Sequence, residues 1–417
     1  MINLEKFSMG IGDRFGREGS AQLEALQLAE RDGLTISPVW NKSFREHSII
    51  GTNPADTRSA ADAAVRNRGW THAYFVDADH IGLKTVDHFL PSSDFFTLDV
   101  ADFIGKPADA DSIEAFVRST RTFVGRLDIA GVHAPLVVSE EGIRSVAKKY
   151  LLAIQEAGKI YRHVAGAKGA GNFVTEISTD EAMQSQTPLE LFFILAAIAG
   201  ERIPLQTIAP KFTGKFLKGI DYVGSVDEFA REFEDDIAVI AFAVKSFQLP
   251  AELKLSVHSG SDKFSLYPTI RRIVQKHGAG LHLKTAGTTW LEELIGLAMA
   301  GGRGYATAQA IYGDAYRRID ELCRPYESVI AIDRRKLPEP ATVNTWNKEE
   351  FVAALRHDRS NKNYNLHVRQ LLHLAYKLAG EMGEDFLHLL DRSAEYVGKN
   401  VTENLYQRHI KPLFLGD

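Results

Sequence analysis

Three histidines and three carboxylates, all at or near the ends of short β-branched or aromatic runs, carry the chemistry of this sequence. His80 follows Asp77-Ala-Asp79, His258 ends Leu255-Ser-Val and opens Ser-Gly-Ser-Asp262-Lys263, and His282 stands in Leu281-His-Leu-Lys284. Neutral imidazoles beside carboxylates suit one divalent cation of the Zn²⁺, Mn²⁺, Co²⁺ or Ni²⁺ type. A lone histidine is more often a hydrogen-bonded core or surface residue, and His277, His357 and His388, in helical or loop contexts, read that way. Three histidines at matching positions in separate runs shift the balance toward ligands. Asp77, Asp79 and Glu176 are the carboxylates placed for acid–base work or metal ligation. Asp77 and Asp79 alternate on an extended chain and can face one side, and one of them could instead support a ligand from behind. Asp79 and Glu176 are the expected acid–base pair.

Lysines cluster at the same kind of position. Lys42, Lys211, Lys263 and Lys284 all follow or end such runs, which points to an anionic or strongly oxygenated ligand; a solvated rim lysine is the plainer alternative for each alone. Lys42, Asp77, Lys263 and Lys284 are the expected substrate contacts, and Asp13, Arg14 and Asn41 are expected at the same mouth. Ala286-Gly-Thr-Thr289 precedes a helical stretch and reads either as an anion-binding helix start or as an ordinary threonine cap. Gly10-Ile-Gly12 is a poor dinucleotide turn: Phe15 stands where the third glycine is needed, and Asn41-Lys42 stands where the ribose-binding acid is needed. Gly301-Gly-Arg-Gly304 lacks the Lys-Ser/Thr of a phosphate loop. No NAD is expected.

The elements that must position these groups recur along the chain. Eight strand-like runs, at 6–11, 35–40, 72–76, 95–100, 173–177, 204–209, 253–258 and 280–284, are mostly separated by stretches of helical periodicity such as 18–31, 54–68, 226–247 and 265–277. The longer gap after the fourth run holds two helix-like stretches (111–123 and 140–157) and room for an additional strand. Alternating strand and helix implies a parallel sheet, and eight units over about 300 residues fit an α/β (β/α)8 TIM-like barrel, whose active site lies at the carboxyl ends of its strands. The expected division is 1–310 as barrel carrying the site and 311–417 as an α-helical C-terminal extension packed on it, with helical stretches at 348–356, 366–378 and 386–396.

Composition narrows the class. The 417 residues are 45% apolar with a formal charge of −5, enough apolar material for a large core and without the basic surplus of a nucleic-acid binder. Cys323 is the single cysteine, which excludes an internal disulfide and suits a reducing compartment. The first residues lack the order of a signal peptide, and the longest apolar run, 191–199, is far short of a span. A cytoplasmic enzyme without membrane or nucleic-acid partners is expected; the oligomeric state, a homo-oligomer included, is left open.

Five segments together resemble a known family. Phe7-Ser-Met-Gly-Ile-Gly-Asp-Arg-Phe15, Val39-Trp-Asn-Lys-Ser-Phe-Arg45, Val76-Asp-Ala-Asp-His-Ile-Gly82, Leu255-Ser-Val-His-Ser-Gly-Ser-Asp-Lys-Phe264 and Leu281-His-Leu-Lys-Thr-Ala-Gly287 are similar to the tagaturonate/fructuronate epimerases, metal-dependent enzymes of hexuronate catabolism. The resemblance spans nearly the whole chain. It implies His80, His258 and His282 as metal ligands, Asp79 and Glu176 as proton acceptor and donor, and a sugar acid as substrate. Tagaturonate and fructuronate differ at carbon 4, which is β to the carbon 2 ketone, so simple deprotonation fails and retro-aldol cleavage between carbons 3 and 4 is the route left without a nicotinamide. The alternatives are a class II aldolase, a ketose isomerase or a tagatose/fructose 4-epimerase on the same barrel, and, further off, a non-enzymatic sugar-binding protein.

Overall fold

Eight parallel strands close into a barrel in which each strand pairs with its sequence neighbours and the last pairs with the first. The computed structural model describes residues 2–285 and 287–416. The barrel strands are β1 (Phe7–Ile11), β2 (Ser37–Ser43), β3 (Phe75–Ile81), β4 (Phe95–Asp99), β5 (Val174–Ser178), β6 (Thr207–Ala209), β7 (Lys254–His258) and β8 (Leu281–Lys284). Each overlaps one of the eight expected runs, but β2 runs three residues past its expected end and β3 is shifted, starting at Phe75 and running on to Ile81. Asn41, Lys42, Asp77, Asp79 and His80 are therefore strand residues despite their polarity, and all but His80 are paired in the ladder. The long gap after β4 contains the helix Ala110–Thr120, an antiparallel hairpin (Gly125–Leu127 with Leu136–Val138) and the 29-residue helix Glu140–Lys168.

Strand alternation sorts the side chains into two cores. Met9, Ile11, Trp40, Val76, Phe96, Leu98, Ile177, Leu255, Val257, Leu281 and Leu283 face outward and join the helices in one large apolar cluster. Inside the barrel, a small separate cluster of Leu4, Val39, Phe75, Phe95 and Val174 plugs the floor. Above that floor the interior turns polar, with Ser8, Asp77, Thr97, Glu176, Thr207, Ser256, His282 and Lys284 all buried. Polar side chains fill a barrel interior only where hydrogen bonds or function compensate their desolvation.

Past β8 the chain is helical. The helix Thr288–Ala300 completes the last unit, and Gly302–Arg317, Lys348–Leu355, Leu366–Leu374, Glu384–Arg392 and Ala394–Glu403 follow, ending in a wide π-type helix over Asn404–Leu415. These helices return to the start of the chain: Thr402 Oγ1 donates to Ala21 O at 2.9 Å, and Phe7 and Phe414 stack edge-tilted 5.1 Å apart. No helix among the described residues is long and apolar enough to cross a membrane.

A buried ionic knot ties the tail to the barrel. Asp262, in the loop after β7, accepts from Arg369 Nη2 and from Thr288 Oγ1 (2.9 Å), with His357 Nδ1 at 3.1 Å and His409 Nε2 at 3.3 Å. Arg369 is fully buried and spends its other donors on the carbonyls of Gly219 (2.6 Å) and Leu355 (2.7 Å). Burial alone would raise the Asp262 carboxyl, but the guanidinium and the two imidazoles hold it well below the usual carboxylate range. Removing one partner of such a pair strands a desolvated charge. Arg369→Met is expected to lower unfolding free energy by about 3–5 kcal/mol, read from the midpoint of urea denaturation at constant slope.

Candidate active site

The site is built in layers up the barrel axis. Lowest is His282, whose Nδ1 lies 2.8 Å from Ser8 Oγ and whose Nε2 is buried without a partner. Burial holds this imidazole down at about 3, so it is neutral. One layer up, at the next inward position of β8, the Lys284 ammonium sits 2.7 Å from Asp77 Oδ2, 2.9 Å from Asp79 Oδ1 and 2.9 Å from Glu176 Oε1. Thr97 and Thr207 complete the layer: Thr97 Oγ1 is 2.9 Å from Asp77 Oδ2 and Thr207 Oγ1 donates to Glu176 Oε2 at 2.8 Å.

One cation among three buried carboxylates sets their charges. Desolvation opposes the Lys284 ammonium, but the three carboxylates override it and keep the group charged. Burial also pushes Asp79 and Glu176 upward. For Asp79 the ammonium and the charge of His80 prevail and bring it down to about 2; for Glu176 the ammonium and His258 hold it well below its ordinary value. Asp77 goes the other way. Burial, with repulsion from Asp79 and Glu176, outweighs Lys284 and lifts it to about 7.

The top layer opens on the mouth. His258 Nε2 lies 2.8 Å from Glu176 Oε1, while its Nδ1 faces Asp180 Oδ2 at 3.2 Å without hydrogen-bond alignment. His80 Nδ1 meets Asp99 Oδ2 at 3.2 Å, and the His80 and His258 rings stand 5.3 Å apart, nearly perpendicular. Ligand-capable atoms of His80, Asp180 and His258 lie within 4.8 Å of one another, as do those of His80, Asp99 and Glu181. Desolvation works against protonating either imidazole, but Asp180 and Glu176 raise His258 to about 9, and Asp79 and Asp99 raise His80 well above its ordinary value.

His80 reaches this position through a bulge. Between Ala78 and Ile81 the β3–β4 register gains one residue, and His80 adopts φ 52°. A left-handed backbone is uncommon outside glycine, and a bulge re-aims a side chain that strict alternation would send to the other face. Asp79 and His80, though adjacent, consequently both line the mouth.

The cleft above has a volume of about 760 Å³. Asp79, His80, His258 and Lys284 line it together with Arg14, Asn41, Asp99, Asp180, Glu181, Lys211 and Lys218. Of the residues singled out in the sequence, His282, Asp77 and Glu176 lie beneath this surface, and His282 belongs to neither of the two ligand groups. Lys42 and Lys263 are not brought to the cleft. Alternation along β2 gives Asn41 and Ser43 to the mouth and turns Lys42 outward, where its ammonium binds Arg14 O (2.7 Å) and Thr52 Oγ1 (2.8 Å). Lys263 points under the β6 loop toward Leu217 O (3.1 Å) and Ser261 Oγ (3.2 Å), and burial lowers it to about 7. Asp13 caps its own turn, accepting from the backbone of Gly16, Arg17 and Glu18. Of Ala286-Gly-Thr-Thr289, Ala286 lies outside the described residues; Thr288 binds Asp262 and Thr289 accepts from Gln22, so both hydroxyls are engaged within the protein. Sequence reasoning missed Asp99, the last residue of β4, and Asp180, just past β5; position alone, two residues beyond a strand end, was the signal for Asp180.

A family profile described as tagaturonate epimerase matches residues 1–413. The chain belongs to that family. This epimerase is 26% identical over 420 residues to a tagaturonate/fructuronate epimerase of Thermotoga maritima, a match covering 97% of this chain and 80% of that one. A glycerol-complexed fructuronate–tagaturonate epimerase from Cohnella laeviribosi superposes with a TM-score of 0.80 at 23% identity, covering 99% of this chain and 82% of that chain. A probable tagatose 6-phosphate kinase from Sinorhizobium meliloti shares the fold at TM-score 0.51 and 11% identity, over 97% and 98% of the two chains.

Gly10 shows how closely the ammonium is seated. A Cβ there would lie 2.6 Å from Lys284 Cγ, so the neighbouring strand must present bare backbone for Lys284 to lie across it. Gly10→Ala displaces the lysine at its stem while leaving every charge in place. Turnover at saturating substrate is expected to fall about 100-fold, the loss typical of a misplacement near 1 Å; steady-state kinetics beside a thermal melt checks it.

Proposed function

We propose that this epimerase interconverts D-tagaturonate and D-fructuronate at carbon 4 through a retro-aldol and aldol sequence that depends on a divalent cation. The observation that carries the reading is the pairing, at one mouth, of a convergent His/His/Asp group with an ionised carboxylate and a fixed ammonium. His80, His258 and Asp180 fit a divalent cation: two imidazoles and a carboxylate converge, His258 Nδ1 is buried without an aligned partner, and a strained backbone at His80 supports the arrangement. Such N,N,O sites accept several metals. Bound there, the cation would supply Lewis-acid stabilisation of the carbon 2 and carbon 3 oxygens as negative charge develops on them.

The protein groups account for the proton and the bond. Asp79, ionised and facing the cleft, takes the proton of the carbon 4 hydroxyl. The carbon 3–carbon 4 bond then breaks, leaving its electron pair on the three-carbon ketone fragment and an aldehyde at carbon 4. Lys284 joins Asp79 to Glu176 through one ammonium 2.9 Å from each, which keeps Asp79 oriented and lets Glu176 restore charge balance from below. Turning the aldehyde to its other face, re-forming the bond and returning the proton complete the inversion with no net change in oxidation state. A Schiff-base route is disfavoured by the same geometry. Lys284 reaches the cleft but is held charged, and Lys263, nearer neutrality, is buried against backbone carbonyls.

Three measurements test this reading. In NMR of D-tagaturonate with the purified protein, D-fructuronate is expected to appear, to stop on chelation and to return with added Mn²⁺; no conversion with any divalent metal would sink the assignment. Asp79→Asn and Glu176→Gln are each expected to lower kcat by about 100-fold or more, within the range of a lost acid–base group, with metal content unchanged by elemental analysis. Metal affinity should follow pH with a definite sign. His258 is protonated below about 9 in the metal-free protein, and a ligand must shed its proton to bind. Affinity is therefore expected to rise about tenfold per pH unit for each proton displaced, the His258 contribution levelling near pH 9, and calorimetry in buffers of different ionisation enthalpy counts the protons released.

A further inference from the structure

Arg14, Glu46, Lys218 and His373 line the same cleft and have a chemistry of their own that the reaction steps do not use. Arg14, after β1, gives Nε and Nη2 to Glu46 at 3.0 Å, while its Nη1 is buried with no partner. Glu46 is itself fixed, closing a reciprocal cap with Ser43 at the start of the helix Phe44–Ile50. The Arg14 guanidinium lies 4.3 Å from the Tyr376 ring, Tyr376 and Tyr326 share a 2.7 Å hydroxyl contact, and Lys218 Nζ stands 5.2 Å from the Tyr326 ring. Two cations are thus placed along a pair of linked aromatics, with Glu46 the carboxylate paired to Arg14. His373, 1% exposed and lining the same cleft, has neither ring nitrogen bonded. It sits tight over the backbone of Gly287, where a Cβ would lie 2.1 Å from its Nε2. Burial, reinforced by Arg14 and Lys218, holds this imidazole well below its ordinary value, so it is a neutral donor and acceptor.

We propose that Arg14, Lys218 and His373 form an anion-reading subsite that anchors the carboxylate of the sugar acid and makes the enzyme prefer an acid over the neutral sugar of the same length. This rests on the uronate reading above. Buried unpaired donors reward a ligand that satisfies them and penalise one that does not. An Arg–carboxylate contact supplies the directional part and Lys218 a point charge. The anchor also has a consequence for the reaction. In carbon 3–carbon 4 cleavage the piece that must present its other face is the aldehyde bearing the carboxylate, so holding that end keeps the three-carbon acid in the cleft while its aldehyde turns. His373 and both tyrosines belong to the helical extension, which thereby contributes to substrate choice.

Binding of D-galactonate and of galactitol, an acid and a neutral polyol of equal length, to the metal-loaded protein tests the subsite by calorimetry. The wild type is expected to bind the acid at least tenfold more tightly. Arg14→Lys and Lys218→Met are each expected to remove most of that preference while leaving galactitol affinity within about twofold. Lys218 makes no side-chain hydrogen bond among the described contacts, so Lys218→Met keeps the test open if the Arg14 variant folds poorly. In turnover of D-tagaturonate the same variants should raise KM more than they lower kcat and should release the three-carbon aldehyde acid, detected by NMR. A wild type without acid preference, or variants that retain it, would overturn the subsite. Failure of D-tagaturonate turnover with acid preference intact would instead overturn the uronate assignment and leave the subsite standing.

Discussion

The Lys284 ammonium, enclosed by Asp77, Asp79 and Glu176, is the constraint on which the rest of the centre depends. Three carboxylates from two strands cannot share a buried layer as anions without a cation between them. Their being together is possible because β8 sends a lysine inward at the height where β3 and β5 send acids, and because Gly10 on β1 leaves room for its stem. The layer below, with the neutral His282 over an apolar floor, excludes the water that would screen these charges. The layer above inherits the result: Asp79 stays ionised beside His80, and Glu176 stays ionised against His258. The mouth is therefore rich in fixed negative charge with imidazoles among it, an environment that a divalent cation complements.

The helical extension is not an ornament on this barrel. Asp262, four residues past His258, is the point where three tail residues, His357, Arg369 and His409, meet the loop that follows β7. That loop and the β6 loop, whose Gly219 carbonyl Arg369 also holds, frame the cleft from one side. Through the same packing Tyr326, His373 and Tyr376 reach the cleft wall. The candidate acid–base and ligand groups thus come from the barrel, and part of the pocket's shape and polarity comes from the tail.

Much of this was legible in the residues. Each of the eight barrel strands lies on an apolar run bounded by helical periodicity, and Asp79, His80, His258 and Lys284 meet because strand ends converge in a closed barrel. The departures have physical reasons. β2 and β3 run on through polar residues because an interior facing a site need not be apolar, so their ends could not be read from hydrophobicity. The bulge at His80 is a backbone event that no glycine or asparagine marks in the sequence. Lys42 and Lys263 carried the right charge in the wrong direction: a period of two turned one outward, and an irregular loop tucked the other under its neighbour. Asp99 and Asp180 are acids at or just past a strand end, with no flanking motif, so only their position marks them.

The closure between β1 and β8 carries a consequence for how the centre comes into being. Ser8 and His282 are 274 residues apart in the chain yet hydrogen-bonded, and the tail folds back onto the first helix through Thr402 and Ala21. Contacts so remote in sequence must overcome loop-closure entropy before they return any stability, which makes assembly slow and late. A partial barrel lacking β7 and β8 would have neither His258 nor Lys284, and its exposed acids would repel. Any ligand that bridges β3 and β7 binds the finished ring and not its precursors. By mass action it draws the population toward the closed form, so the occupied centre acts as the latch on the fold that built it.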